Sequence, residues 1–202
     1  MKDLLWVSHA IDELNRWISR IAVWLVLIAA LLSAFNAFFR YSIEWIIKLA
    51  HNYRALGGLA DVLTWYTNNS NSFLELQWYM FAFMAMLGGA YTLKVNEHVR
   101  VDLLYGSVSE RTRTWIDLLG GIFCLVPFCA VLAYITWPWF VESYRGSEMS
   151  TNAGGLLRWP VKLILPVGFF FVLLQGISEI IKCVVALTTD YVREHAYEKP
   201  LQ

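Results

Sequence analysis

Four long apolar runs, nearly free of charge, dominate this chain of 202 residues. They are residues 21–39, 76–93, 118–141 and 163–178, the last resuming after Glu179 and Lys182 as far as Leu187. A helix needs about 20 such residues to cross about 30 Å of hydrocarbon. Three of the runs hold 18 or more residues without a formal charge. A water-soluble domain of this size would instead show shorter amphipathic helices. The pattern predicts an all-α polytopic membrane protein with four transmembrane helices, an N-terminal amphipathic helix and a periplasmic surface helix.

Composition agrees. Apolar residues are 58% of the chain and charged residues 16%, both displaced from globular averages toward membrane proteins. Net charge is zero, so nothing indicates a nucleic-acid surface. Trp17, Trp78, Tyr79, Tyr91, Trp115, Trp137, Trp139, Tyr144 and Trp159 fall near run ends, where amphipathic rings sit at a membrane interface. Cys124, Cys129 and Cys183 lie in or beside apolar runs without metal-finger spacing and read as small apolar packers. The first run starts too late and is too long for a signal peptide's apolar region, so it is expected to remain as the first span.

The spans are expected at about 21–39, 76–93, 115–140 and 161–187. Both ends then share one side with the 94–114 loop, and that side carries ten Lys and Arg against six on the other. The positive-inside rule places it in the cytoplasm of a bacterial inner membrane. Residues 3–20 repeat apolar positions at helical spacing (Leu4, Val7, Ala10 or Ile11, Leu14, Trp17 or Ile18, and on to Ile21), while Asp12, Glu13, Asn15, Arg16 and Arg20 fill much of the remainder. This helix is expected to lie on the membrane or on a partner. The outer loop 40–72 is expected to carry a surface helix over 43–56, broken at Gly57-Gly58, and a turn at Asn68-Asn69-Ser70-Asn71. Ser107-Val108-Ser109-Glu110 has the form of a capping box. Pro127 and Pro138 are expected to bend or end the third helix. The second outer loop, 141–160, is rich in Gly, Ser and Asn and reads as irregular, with Pro160 in the first turn of the last helix.

Catalysis or transport in a membrane usually shows as charge deep in the bilayer. Here Glu75 and Gln77 stand at the outer edge of the second run, and Glu179 and Lys182 near the inner end of the fourth, three apart on one helical face. Their expected role is interfacial anchoring and helix contact. Gln175 is expected to hydrogen-bond a neighbouring helix, and Gly88-Gly89-Ala90 to let one approach closely. His9, His51, His98 and His195 all lie outside the apolar runs, which speaks against haem. There is no zinc-binding H-E-x-x-H, no P-loop and no G-x-S-x-G. The residues alone therefore point to an accessory membrane subunit without catalytic groups. A self-contained small transporter and the anchor subunit of a membrane redox enzyme stand as alternatives.

Particular segments go further. Leu74-Glu75-Leu76-Gln77-Trp78-Tyr79, then Gly89-Ala90-Tyr91-Thr92-Leu93-Lys94, then Asn96-Glu97-His98-Val99-Arg100-Val101-Asp102, and later Glu148-Met149-Ser150-Thr151-Asn152-Ala153-Gly154-Gly155-Leu156-Leu157-Arg158-Trp159-Pro160 resemble the DctQ-like small membrane subunit of tripartite ATP-independent periplasmic (TRAP) transporters. The likeness runs from about Phe73 to Lys182 and is nearest to the mannitol/chloroaromatic-type branch. It implies a scaffold subunit beside a large, sodium-driven, elevator-type membrane subunit and a periplasmic substrate-binding protein that delivers an organic acid. It also implies that substrate and sodium ions bind the large subunit, with no cofactor or metal in this chain. Glu75, Gln77 and Trp78 would fix the second span against the large subunit or the interface. His98, Arg100 and Asp102 would order the cytoplasmic loop, in part against lipid headgroups. Glu148, Asn152 and Arg158 would meet the binding protein.

Overall fold

The structure, a computed structural model, describes residues 2–52, 57–97, 105–189 and 191–192. Its order is α1 (Lys2–Asn52), α2 (Gly57–Val95), α3 (Glu110–Gly120), a π-helical turn (Gly121–Leu125), α4 (Val126–Arg145) and α5 (Trp159–Thr188). Among the described residues there is no strand, only an isolated bridge between Met149 and Leu157. The helix α5 is the hub and packs against α1, α2, α3 and α4.

The most informative departure from expectation is α1. The amphipathic segment 3–20, the span 21–39 and the start of the surface helix form one uninterrupted rod. The reason is legible afterwards: no Gly or Pro occurs between Lys2 and Asn52, and a helix needs a cause to break. The same holds for α2, where the expected turn at Asn68–Asn71 lies inside the helix. Its polar side chains bond back to the preceding turn: Thr67 Oγ1 to the Leu63 carbonyl (2.9 Å), Asn69 Nδ2 to Trp65 (2.8 Å) and Ser70 Oγ to Thr67 (3.1 Å). The outer segment 40–72 is thus a helical hairpin with its own core of Ile43, Leu63 and Tyr66, flanked by Phe39, Ile46 and Phe73. The expected break point, Gly57-Gly58, stands at the start of α2.

A second feature is the face of α1 that points inward. Ser8, Asn15, Ala22, Ala29, Asn36 and Ile43 recur every seventh residue and are all buried, joined by Asp12 and Ser19. This is a seam of small and polar residues with coiled-coil periodicity. The large apolar side chains, Trp17, Trp24, Leu31 and Phe38, face outward.

In the third helix the N-cap is Ser109, whose side chain accepts from the Thr112 N–H, and not Ser107. Pro127 does not end the helix. Having no N–H for the turn before it, Pro127 follows the widened π turn, and Pro138 is absorbed inside α4. Pro160 sits in the first turn of α5, where its missing donor costs nothing.

Among the described residues, three helices are long and apolar enough to cross a membrane: 2–43, 110–145 and 159–188. The expected span at 76–93 in α2 is not among them, since Gln77, Gly88, Gly89, Tyr91 and Thr92 dilute its apolar character. The small-residue contact is also displaced. A methyl at Gly88 would meet nothing within 4 Å, and one at Gly89 would only touch Val172 Cγ2 at 3.7 Å. The tight approach is at Gly168, where a Cβ would lie 2.7 Å from Met86 Cβ and 3.2 Å from the Met86 carbonyl. Gly88→Ala should therefore leave the thermal unfolding midpoint in detergent unchanged or raised. Gly168→Ala should lower stability by roughly 1–3 kcal/mol, as overpacking does.

Candidate functional site

Where the N-terminal half-turns of α1 cross α5, a buried polar junction forms. Asp12 is the centre. Its Oδ2 pairs with Lys182 Nζ at 2.8 Å, and its Oδ1 accepts from Gln175 Nε2 and Ser178 Oγ, each at 2.9 Å. Gln175, with no solvent exposure, donates also to Glu179 Oε1 (2.9 Å) and accepts from Asn15 Nδ2 (2.7 Å). Lys182 closes the ring by reaching Glu179 at 2.7 Å. Ser8 and Ser178 exchange a hydrogen bond of 2.7 Å one turn away. From α2, Lys94 Nζ approaches the Asp12 carbonyl at 3.5 Å. One lysine bridging two carboxylates, with an amide bridging the same two, is a closed arrangement. It ties three helices, and of its side-chain atoms Asn15 Oδ1 is buried without a hydrogen-bond partner among the described residues.

The spacing in the sequence places Gln175, Ser178, Glu179 and Lys182 on one side of α5, at i, i+3, i+4 and i+7. The expected Glu179–Lys182 pair and the expected cross-helix bond of Gln175 are both present. Asp12, Asn15, Ser8 and Ser178 were not anticipated as partners. Their signal was the heptad recurrence of small and polar residues along an otherwise bulky helix.

The second polar centre is at the outer end. Glu75, buried at 4% exposure, accepts from the Leu156 N–H (2.6 Å), Asn152 Nδ2 (2.8 Å) and Ser150 Oγ. Asn71 Nδ2 holds the Ala153 carbonyl at 2.9 Å, and Ser72 Oγ bonds that of Gly154. Tyr79 OH donates to the Leu157 carbonyl at 3.0 Å. Gly154 has φ +68°, and a Cβ there would stand 2.5 Å from the Asn68 carbonyl, so glycine is required at this contact. Burial alone would raise the Glu75 carboxyl, which lies one residue outside its apolar run. The hydrogen bonds from Ser150, Leu156 and Asn152 outweigh that and hold it below the usual carboxylate range. In the loop itself, the hydrogen bond from Lys162 lowers Glu148, helped by the charges of Lys162 and of Arg158, whose guanidinium lies at 3.6 Å.

The structure thus separates the residues singled out above. Glu75 and Asn152 meet each other, as do Glu148 and Arg158. Gln77 is half-buried, Trp78 faces outward, and a Cβ added at Gly88 would point into open space. His98, Arg100 and Asp102 lie outside the described residues. Among the described residues no cluster of three or more His, Cys, Asp or Glu is placed to hold a metal. An open groove of about 630 Å³ runs beside the π turn, lined by Gly120, Phe123, Leu125, Pro127 and Phe128, and offers almost no polar group.

Two outcomes follow. Lys182→Met removes the counter-ion of buried Asp12 and of half-buried Glu179 and should cost about 3–5 kcal/mol. Asp12→Asn should be similarly harmful, and the double variant should fall well short of the sum in a thermal-unfolding cycle. In the loop, carboxyls held low in the folded state stabilise it above their ordinary range, and that contribution disappears as pH falls through the folded values. Below pH 4.5, the ordinary glutamate value, the Arg158 amide, which donates to the Glu148 carbonyl at 2.8 Å, should lose hydrogen-exchange protection when its rate is compared with the intrinsic rate at each pH. Glu148→Gln should weaken that acid response.

Comparison with known proteins now bears on this geometry. The family described as "Tripartite ATP-independent periplasmic transporters, DctQ component" matches residues 55–186, from the outer hairpin through most of α5. The "C4-dicarboxylate TRAP transporter small permease protein DctQ" of Pseudomonas aeruginosa is 26% identical over 121 residues, which is 58% of this chain and 53% of that protein. The chain thus aligns with about half the length of this relative. No solved structure matches. Since the family match covers well over half of the residues and reaches both polar centres, this multi-pass membrane protein belongs to the DctQ-component family of tripartite ATP-independent periplasmic transporters.

Proposed function

We propose that this chain is the small scaffold subunit of a sodium-driven TRAP transporter for an organic acid. The relative's name makes a C4-dicarboxylate one candidate, whereas the segment from Glu148 to Pro160 favours the mannitol/chloroaromatic-type branch. In this reading the chain crosses the inner membrane four times, with α2 as the fourth span and both termini in the cytoplasm. It braces a large elevator-type subunit that carries the substrate and sodium sites. Its folded outer loop helps to dock the periplasmic binding protein.

One observation supports the reading above others: the interior polar groups are spent on helix-to-helix contacts. Asp12, Gln175, Ser178, Glu179 and Lys182 satisfy one another, and a subunit that holds a shape needs that more than a vacant ion site. The loop fits a docking role because it is rigid before any partner arrives, clamped at Glu75 and at Gly154.

Affinity purification of the tagged chain from native membranes in mild detergent should bring down a large multi-span membrane subunit. Recovery alone, or with redox subunits, would overturn the proposal. Arg158→Gln should lower substrate uptake several-fold while the two membrane subunits still co-purify, and unchanged uptake would remove the docking role.

A further inference from the structure

The helix α1 is out of step with its neighbours. Asp12 lies level with Lys94, Phe35 with Phe73, Asn36 with Tyr66 and Ile43 with Leu63, which fits a single antiparallel register of α1 on α2. On α5, Asn15 lies level with Gln175. These pairings set depth along α1. Arg20, eight residues on from Asp12, stands about 12 Å inside the apolar run of α2 that ends at Leu93. Tyr41, level with Trp65, and Trp45, level with Asp61, stand about 16 and 22 Å outside the other end of that run, at Leu76.

The outward face of α1 therefore suits neither of its two solvents. Arg20 is exposed at hydrocarbon depth, where an unpaired charge is costly. Arg16, one turn nearer the end, is already paired with Glu13 at 2.8 Å, and among the described residues no carboxylate pairs with Arg20. Beyond the apolar zone, Tyr41 is 88% exposed and Trp45 66%, large rings in what would be water. The outward face of α4 carries no charge inside its apolar run, where Phe128, Val131, Tyr134 and Ile135 are exposed. Lipid suits α4 and does not suit α1.

We infer that the outward face of α1, from Arg20 through Trp24, Leu31 and Phe38 to Trp45, is the seat of the large membrane subunit, which meets Arg20 with an acidic side chain. This rests on the scaffold reading above and adds the surface and its charge complement. A partner that is itself membrane-embedded and projects beyond the bilayer covers both the charge and the outer rings, and neither lipid nor a soluble protein does both. The inferred seat is not a restatement of the family likeness, because the matched region begins at residue 55, beyond α1.

The test is site-specific photo-crosslinking in native membranes, with p-benzoylphenylalanine at Trp24 or Phe38 on α1 and at Ile135 on α4. Adducts with the large subunit from Trp24 and Phe38, and lipid adducts alone from Ile135, are expected. Co-purification without α1 adducts, adducts from Ile135 instead, or adducts between two copies of this chain would overturn the inference while leaving the scaffold function standing. Absence of a co-purifying large subunit from the unmodified chain would overturn both. Arg20→Glu should reduce co-purification about tenfold and Arg20→Lys should preserve it. Undiminished capture by the Glu variant would remove the acidic partner from the inference.

Discussion

The constraint on which this structure depends is that charge taken out of water must find charge of the opposite sign. Asp12, Glu179 and Lys182 are brought together from the two ends of the chain, and Gln175 hydrogen-bonds both carboxylates. Shape-matched apolar residues would hold two helices together as well or better, but would fix their relative height less strictly. An apolar seam of small residues slides with little penalty. A bridged carboxylate does not. The height of α1 on α5, and with it the staggered position of Arg20 and Trp45, follows from this junction.

The outer end answers the same problem differently. Glu75 is buried without a counter-ion in direct contact, and its carboxylate is satisfied by one backbone N–H, one amide and one hydroxyl. Neutral donors cost less desolvation than a second charge, and they come from a loop that the carboxylate itself orders. Glycine at position 154 then lets the loop backbone close onto the Asn68 carbonyl. A single acidic residue at the head of an apolar stretch organises some ten residues of irregular chain.

How much of this was legible in the sequence depended on the range of the signal. Helical content followed from the apolar runs, and the start of α5 from Pro160. Gln175 announced its need for a partner simply by being an amide in an apolar stretch. The features least legible are those in which a polar residue does not mark solvent. Asn68 to Asn71 resembles a turn, but the Asn69 and Ser70 side chains bond to their own helix and that of Asn71 to the loop. Asp12 and Asn15 resembled the wet face of an amphipathic helix, but α5 offers Lys182 and Gln175 at the matching height, and no local pattern reveals a partner 160 residues away. The heptad of Ser8, Asn15, Ala22, Ala29 and Asn36 was readable in principle. Its period is that of helix packing, and it marked the buried side whatever the polarity of its members.

That long-range pairing has a consequence in time. The partners of Asp12 and Asn15 lie on α5, about 160 residues later in the chain. At roughly 5–20 residues per second, the ribosome delivers α5 some ten to thirty seconds after α1. Throughout that interval α1 stands at the membrane without the α5 partners of that carboxylate and amide, so the finished register is set only once α5 has emerged. Until then the first helix is free to settle at another height.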